Sequence, residues 1–130
     1  MLSITSKSPY ALAALCELAA TGGQDPVPLG ELARRREVPA QFLEQLFATL
    51  RRAGIIASQR GVKGGYRFAR DPSQVSVLEI VELLDGPFGQ GSEGVFADAA
   101  DAARAVLASE TIADIVERER TEAGAQMYFI

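Results

Sequence analysis

The sequence predicts a mainly α-helical fold that carries one small β-hairpin. Apolar residues recur at helical spacing in several segments, and each segment is bounded by a capping residue, a proline or a glycine. Two segments that read as strands, 55–59 and 66–69, lie on either side of residues 61–65, a turn with three glycines, which is typical of a hairpin. The chain has 130 residues, 48% of them hydrophobic, which is enough to bury the core of one domain.

The first helix is predicted to begin at Ser8-Pro9, an N-cap followed by proline at the first helical position. It is expected to end near Ala20, where residues 21–23 include two glycines. Its apolar side chains cover more than one side, so we expect it at the centre of the core. They are Tyr10, Leu12, Leu15, Leu18 and Ala19.

Two further helices are predicted in the first half of the chain. A short one over about residues 29–36 places Leu29, Leu32 and Ala33 on one face and ends in three arginines. Val38-Pro39 ends it, and the proline opens a third helix over about residues 40–53. The third helix has one apolar face, formed by Leu43, Leu46, Phe47 and Leu50.

A hairpin is predicted next, from strands at about residues 55–59 and 66–69. Its rim is basic and consists of Arg60, Lys63, Arg67 and Arg70. Ser76-Val77-Leu78-Glu79 is a capping box that opens a helix to about Leu84, with Val75 and Ile80 as its hydrophobic staple.

The last part of the chain is predicted to be helical and acidic. Residues 88–94 form a glycine-rich loop, and an alanine-rich helix follows over residues 96–107. A second capping box, Thr111-Ile112-Ala113-Asp114, opens a helix to about Glu122. Gly124 is expected to end that helix and leave residues 125–130 as a tail.

Composition excludes several classes of site. One cysteine and no histidine exclude an intramolecular disulfide, Cys/His zinc sites and histidine-dependent triads. No apolar run reaches the roughly 20 residues of a membrane span, so we expect a cytoplasmic protein. Residues 1–70 carry ten Lys or Arg and five Asp or Glu, whereas residues 71–130 carry three and twelve. This asymmetry indicates a nucleic-acid face beside a self-association or sensing region, although chance clustering remains an alternative.

The order helix, short helix, turn, helix and hairpin is that of a winged helix-turn-helix domain. It presents the start of the third helix to a major groove about 12 Å wide. Gln41, Glu44 and Gln45 then reach base edges, while Arg60 and Lys63 meet phosphates or the minor groove.

The chain resembles the Rrf family of bacterial transcription regulators, which includes the IscR, NsrR and CymR types. The matching stretches cover almost the whole chain. They are Ser6-Lys7 with Tyr10-Ala11; Pro26-Val27-Pro28-Leu29; Phe42-Leu43-Glu44-Gln45-Leu46-Phe47; Leu50-Arg51-Arg52-Ala53-Gly54-Ile55-Ile56; Arg60-Gly61 with Gly64-Gly65-Tyr66; Ile80-Val81-Glu82 with Asp85-Gly86-Pro87; and Thr111-Ile112-Ala113-Asp114-Ile115-Val116.

The resemblance implies a homodimeric DNA-binding regulator, expected to be a repressor, that reads a pseudo-palindromic operator. Residues 1–86 would form the DNA-binding domain, and residues 87–130 the dimerisation helices and tail, with the 96–107 helix crossing its partner. Carried over by residue, the candidate DNA contacts are Gln41, Phe42, Glu44, Gln45, Arg60, Lys63, Lys7 and Arg51. Phe42 is expected mainly to pack and also to touch the DNA backbone.

The sequence departs from the family pattern in three places. Val62 and Lys63 replace a Pro-Gly pair in the wing, and Pro39 replaces a capping serine. Residues 88–94 lack the three cysteines that cluster-sensing members carry near this point. We therefore expect no iron–sulfur cluster and no other cofactor.

Several residues admit two interpretations. The arginines of residues 34–36 either form a solvated helix end or contact phosphates. Cys16 is expected to pack as a small apolar residue rather than to sense redox state. Asp98 and Asp101 are expected on a solvated face rather than around a cation. Glu79 and Glu82 have no nucleophilic partner, so no enzyme is predicted.

The C-terminal residues suggest an alternative function. Tyr128, Phe129 and Ile130 place large apolar groups beside a terminal carboxylate. They either fold back onto the dimer core or bind a partner. CymR-type members act with O-acetylserine sulfhydrylase, which captures tails ending in isoleucine, so the resemblance implies that Ile130 docks in that enzyme and that the chain regulates cysteine metabolism.

Overall fold

The computed structural model describes residues 3–22 and 25–128 and confirms the mainly helical fold with one hairpin. Its elements, in chain order, are α1 (Lys7–Ala20), α2 (Leu29–Arg36), α3 (Ala40–Arg52), β1 (Ile56–Gln59), β2 (Gly65–Phe68), a 3-10 turn (Pro72–Gln74), α4 (Val77–Asp85), α5 (Gly94–Ser109) and α6 (Ile112–Tyr128).

Helix α1 lies at the centre of the core, as its apolar pattern predicts. Ala11, Ala14, Leu15 and Leu18 are fully buried, and the helix packs against α2, α3, α4 and α6. Its predicted start is wrong by two residues. Ser8 does not cap the helix but lies inside the first turn, where it is buried and its hydroxyl donates to Asp85. Proline is tolerated this early because first-turn amides have no partner within the helix.

Helices α2 and α3 form the predicted helix-turn-helix. Helix α2 ends at Glu37, which adopts the left-handed conformation (φ 55°), and the amide of Val38 returns to the carbonyl of Ala33 at 2.9 Å. Pro39 occupies the N-cap of α3 and makes no side-chain capping bond. The predicted apolar face of α3 is buried, since Leu43, Leu46, Phe47 and Leu50 lie in the core.

The wing is an antiparallel pair in which Ile56 faces Phe68 and Gln59 faces Gly65. Val27, just before α2, pairs with Tyr66 through a single antiparallel β-bridge. The ring of Tyr66 packs edge-on against Phe47 at 5.1 Å, so α3 and the wing share one contact surface.

Both predicted capping boxes lie at helix starts, and the second is complete. The hydroxyl of Thr111 accepts from the amide of Asp114 at 3.1 Å, and the Asp114 carboxylate accepts from the amide of Thr111 at 3.0 Å. At α4, Ser76 accepts from the amide of Glu79 at 3.1 Å, whereas the Glu79 carboxylate pairs with Arg70. The starts of α4 and α6 are joined through backbone bonds from Val77 to Glu110 and from Ile112 to Val75, at 2.8 and 3.0 Å.

The predicted end of α6 is wrong. Gly124 does not stop the helix, which continues to Tyr128, so residues 126–128 are helical rather than an extended tail. A single glycine costs a helix only about 1 kcal/mol relative to alanine, and its neighbours are helix-forming residues. Phe129 and Ile130 lie outside the described residues.

Candidate nucleic-acid interface

The first two turns of α3 present polar side chains on the face opposite the core. Gln41, Glu44 and Gln45 are all exposed. Phe42 is half-buried and packs edge-on against Tyr10, with ring centroids 5.8 Å apart. The structure therefore places Phe42 in a packing position and leaves the three polar side chains accessible to a ligand.

Lys7 lies beside this face, at the first residue of α1. It is exposed and lines a groove of about 160 Å³ together with residues of α3 and α4. The other residues that line the groove are Phe42, Gln45, Leu46, Thr49, Leu83 and Leu84. The groove brings Lys7 and Gln45 together, although they are far apart in the sequence.

The wing carries exposed cations. Arg60 precedes the turn, Lys63 lies within it, and Val62 at its tip is wholly exposed. Arg51 at the end of α3 reaches β1, where one of its terminal nitrogens donates to the hydroxyl of Ser58 at 3.4 Å. Arg51, Arg60 and Lys63 are all exposed.

Arg70 does not belong to the predicted basic rim. Its guanidinium lies 2.6 Å from the Glu79 carboxylate and also donates to the carbonyl of Gln74 at 2.8 Å. These bonds brace the base of the hairpin against α4. The prediction that Arg70 extends the rim is therefore wrong.

The three arginines at the end of α2 belong to an ion-pair network. Arg34 and Arg35 are exposed, as a solvated helix end requires, whereas Arg36 is half-buried. Arg34 and Arg35 pair with Glu31, and Arg35 also reaches Glu17. Glu31 and Arg35 are four residues apart, a spacing that favours a pair within a helix.

Arg36 joins three helices within that network. It is half-buried, donates to Glu17 of α1 at 2.8 Å and to Glu119 of α6 at 3.0 and 3.1 Å. The hydrogen bond from Arg36 holds the pKa of Glu17 below its usual value, although burial opposes the shift. The pairing with Glu119 spans 83 residues, and no local pattern in the sequence predicts it.

Cys16 packs in the core, as expected, with 1% of its surface exposed. Burial, followed by the charge of Glu119, raises the pKa of its thiol to about 12. The thiolate that redox chemistry or metal ligation requires is therefore strongly disfavoured.

A model of the Rrf2 family, described as iron-dependent transcriptional regulators, matches residues 4–118. The chain belongs to the Rrf2 family. The IscR and CymR proteins that it matches are transcriptional regulators and not enzymes, which agrees with the prediction for this chain.

Solved structures of Rrf2 regulators share this fold over most of the chain. CymR of B. subtilis, described as its global cysteine regulator, superimposes with a TM-score of 0.82 at 31% identity, covering 91% of this chain and 98% of CymR. IscR of T. potens gives a TM-score of 0.78 at 33% identity, covering 91% and 88%.

Curated Rrf2 relatives match a shorter region. IscR of Sodalis glossinidius is 39% identical over 97 residues, covering 72% of this chain and 59% of that protein. IscR of Vibrio cholerae is 39% identical over 84 residues, covering 65% and 49%. The chain thus spans about half to three-fifths of the length of these relatives.

The iron that the family description implies does not fit the donor set of this Rrf2 chain. Residues 88–94 supply no thiol, and the one cysteine, Cys16, lies in the core with its pKa raised. Within residues 3–22 and 25–128, no three Cys, His, Asp or Glu side chains converge as metal ligands. We therefore assign iron no part in the function of this family member.

No helix among the described residues is both long and apolar enough to cross a bilayer.

Proposed function

We propose that this Rrf2 regulator binds operator DNA by inserting the start of α3 into the major groove. The observation that carries the proposal is the exposure of Gln41, Glu44 and Gln45 at the start of α3, with Lys7 in the groove that Gln45 lines. Amide and carboxylate groups are the side chains that read adenine and cytosine edges in that groove.

The wing anchors the complex through charge. Arg60 and Lys63 contact phosphates or the minor groove, and Arg51 contacts the DNA backbone beside α3. Such contacts fix the register of the protein without reading the sequence, because every base pair carries the same phosphates.

In the proposed dimer, a second copy of this chain packs against α5. Val95, Phe96 and Val106 are 71%, 64% and 64% exposed, and Ala99 and Ala102 are exposed between them. The spacing of Val95, Ala99, Ala102 and Val106 alternates four and three residues, as in a helix-packing seam with small residues at its centre. A two-fold axis through the middle pairs Val95 with the partner's Val106.

In the proposed dimer, residues 1–86 bind DNA and residues 87–130 carry the dimer contacts. The two α3 helices meet half-sites about 34 Å apart on one face of the duplex, so the operator is pseudo-palindromic. We further propose that the chain is cytoplasmic and represses genes of cysteine or sulfur metabolism. The likeness to CymR, described as a global cysteine regulator, supports the link to cysteine.

Quantitative binding to the DNA upstream of the protein's own gene tests the proposal. We expect salt-dependent and sequence-selective binding, with a dimer on each site, measured by fluorescence anisotropy over a range of salt concentrations. A scrambled duplex of equal length is the control. Equal affinity for both duplexes, or no binding to either, would refute the proposal.

The alternative function, an adaptor that docks Ile130 in O-acetylserine sulfhydrylase, has less structural support. It requires a free tail, and residues 126–128 are helical instead. It stays a prediction, which calorimetry of the sulfhydrylase with the intact chain and with a variant lacking Ile130 would test. Binding that depends on Ile130 would support it.

A further inference from the structure

The carboxylate of Asp85, the last residue of α4, is bonded to the start of α1. Its Oδ1 accepts from both the amide (3.2 Å) and the hydroxyl of Thr5, and its Oδ2 accepts from the buried hydroxyl of Ser8 at 2.5 Å. An aspartate at the C-terminal end of a helix meets the negative end of the helix dipole, which is an unfavourable place for it. The bonds to α1 offset that cost.

One side chain separates this carboxylate from the candidate interface. The Thr5 hydroxyl donates to Asp85 and also accepts from the amide of Lys7 at 3.2 Å. Lys7 lines the groove that contains Gln45. Although burial opposes ionisation, the bonds from Ser8 and Thr5 and the charge of Lys7 hold the pKa of Asp85 below its ordinary value.

We propose that Asp85 is a positioning residue of the DNA interface, which fixes the turn around Thr5 so that the Lys7 ammonium meets a phosphate beside the groove read by α3. The proposal rests on the proposed function. It also links the interface to the α4–α5 connection, because Asp85 directly precedes Gly86, where the chain leaves α4 with φ 86°.

Charge alone predicts the opposite effect of Asp85 on binding. A carboxylate near the phosphates repels them, so Asp85→Asn should tighten DNA binding if Asp85 acts only as a charge. If it positions Lys7, the same substitution removes one acceptor and weakens binding instead. The sign of the effect therefore separates the two roles.

The test compares four variants with the wild-type protein in operator binding from about 0.1 to 0.4 M salt. They are Lys7→Ala, Asp85→Asn, the double variant and Thr5→Val. One lost phosphate contact lowers affinity about fivefold at 0.15 M salt and reduces the salt slope by about 0.9. We expect that change for each single variant, and no further loss in the double variant. Thr5→Val provides an independent test because it leaves the Asp85 charge in place.

Asp71→Asn is a matched control. Asp71 also accepts from an amide and a hydroxyl, both of Ser73, at 2.8 and 2.6 Å, but it lies beyond the hairpin rather than beside Lys7. We expect this variant to lose neither affinity nor salt slope. A matching loss with Asp71→Asn would overturn the proposal.

Other outcomes are equally informative. Unchanged or tighter binding by Asp85→Asn, or losses that multiply in the double variant, would overturn the positioning role. If the wild-type protein binds the operator and Lys7→Ala has no effect, the positioning role is also overturned, but the proposed function stays intact. A wild-type protein that binds no duplex would instead refute the proposed function.

Discussion

Val27 and Tyr66 exchange two backbone hydrogen bonds, at 2.9 and 2.8 Å, which attach the wing to the segment before α2. The neighbouring Gly65 makes this possible. It has φ 152°, and a Cβ at this position would lie 2.3 Å from the Val27 carbonyl carbon. The orientation of the wing relative to the helix-turn-helix thus depends on Gly65, which packs directly against the backbone of Val27.

Gly65→Ala should destabilise the protein by about 2–4 kcal/mol, because it combines a strained backbone with a clash against backbone atoms that cannot move aside. Gly30→Ala is the control, since Gly30 lies in α2 with open space around it and alanine favours a helix. Urea unfolding followed by circular dichroism measures both. Equal stability of the two variants would contradict the proposed role of the contact.

The ion pair between Arg36 and Glu17 predicts a pH dependence. The pKa of Glu17 lies below its ordinary 4.5 in the folded chain, so its contribution to stability is present above pH 4.5. That contribution is lost as the pH falls from 4.5 through the lowered folded pKa. Glu17→Gln should therefore lower the free energy of unfolding at pH 7 and lose less stability than the wild-type protein between pH 5 and pH 3.

Glu122→Gln, an exposed carboxylate on α6, is the control for that measurement. It should follow the wild-type curve. The account of the Arg36 network fails if Glu17→Gln and Glu122→Gln have the same pH profile.

The α5 seam predicts a self-association that one charge disrupts. Val106→Glu places an unpaired charge at the end of the seam, against the partner's Val95, which we expect to weaken the dimer by at least about tenfold. Ala105→Glu introduces the same charge one residue away, on an exposed face outside the seam. Sedimentation velocity over a concentration series compares them. A dimer unaffected by Val106→Glu would exclude this face as the interface.

Burial predicts an unreactive thiol. With 1% of its surface exposed and its pKa raised to about 12, Cys16 should react with a disulfide reagent at pH 8 only as fast as the protein opens. A Cys16→Ala variant that also carries Ala20→Cys moves the thiol to an exposed position of α1 and should react at once. Equally fast reaction of the wild-type thiol would contradict its place in the core.

Local signals in the sequence predict most of this fold. The capping box at Thr111 and Asp114 involves residues three apart, and the apolar face of α3 follows from helical spacing, so both are readable without tertiary information. Contacts between distant residues are not readable in this way. Asp85 and Thr5 lie 80 residues apart, and no local pattern in the sequence predicts their bond.

The candidate site shows the same division. The exposure of Gln41, Glu44 and Gln45 follows from the period of α3. The contact between Arg70 and Glu79 depends on how the hairpin packs on α4. Proximity in the sequence alone therefore assigns Arg70 to the basic rim, although its guanidinium pairs with Glu79 instead. Helix α6 extends past Gly124 because one glycine is a weak helix stop.

The most direct test of whether α3 reads bases and the wing anchors the DNA backbone compares Lys63→Ala with Gln45→Ala. Binding of both variants is measured on operator DNA and on operators that carry single-base changes. Lys63→Ala should weaken binding to all sequences alike and reduce the salt slope by about one. Gln45→Ala should relax preference at one base pair of each half-site, by about 1–3 kcal/mol. Uniform loss of affinity with both substitutions would contradict the placement of α3 in the major groove.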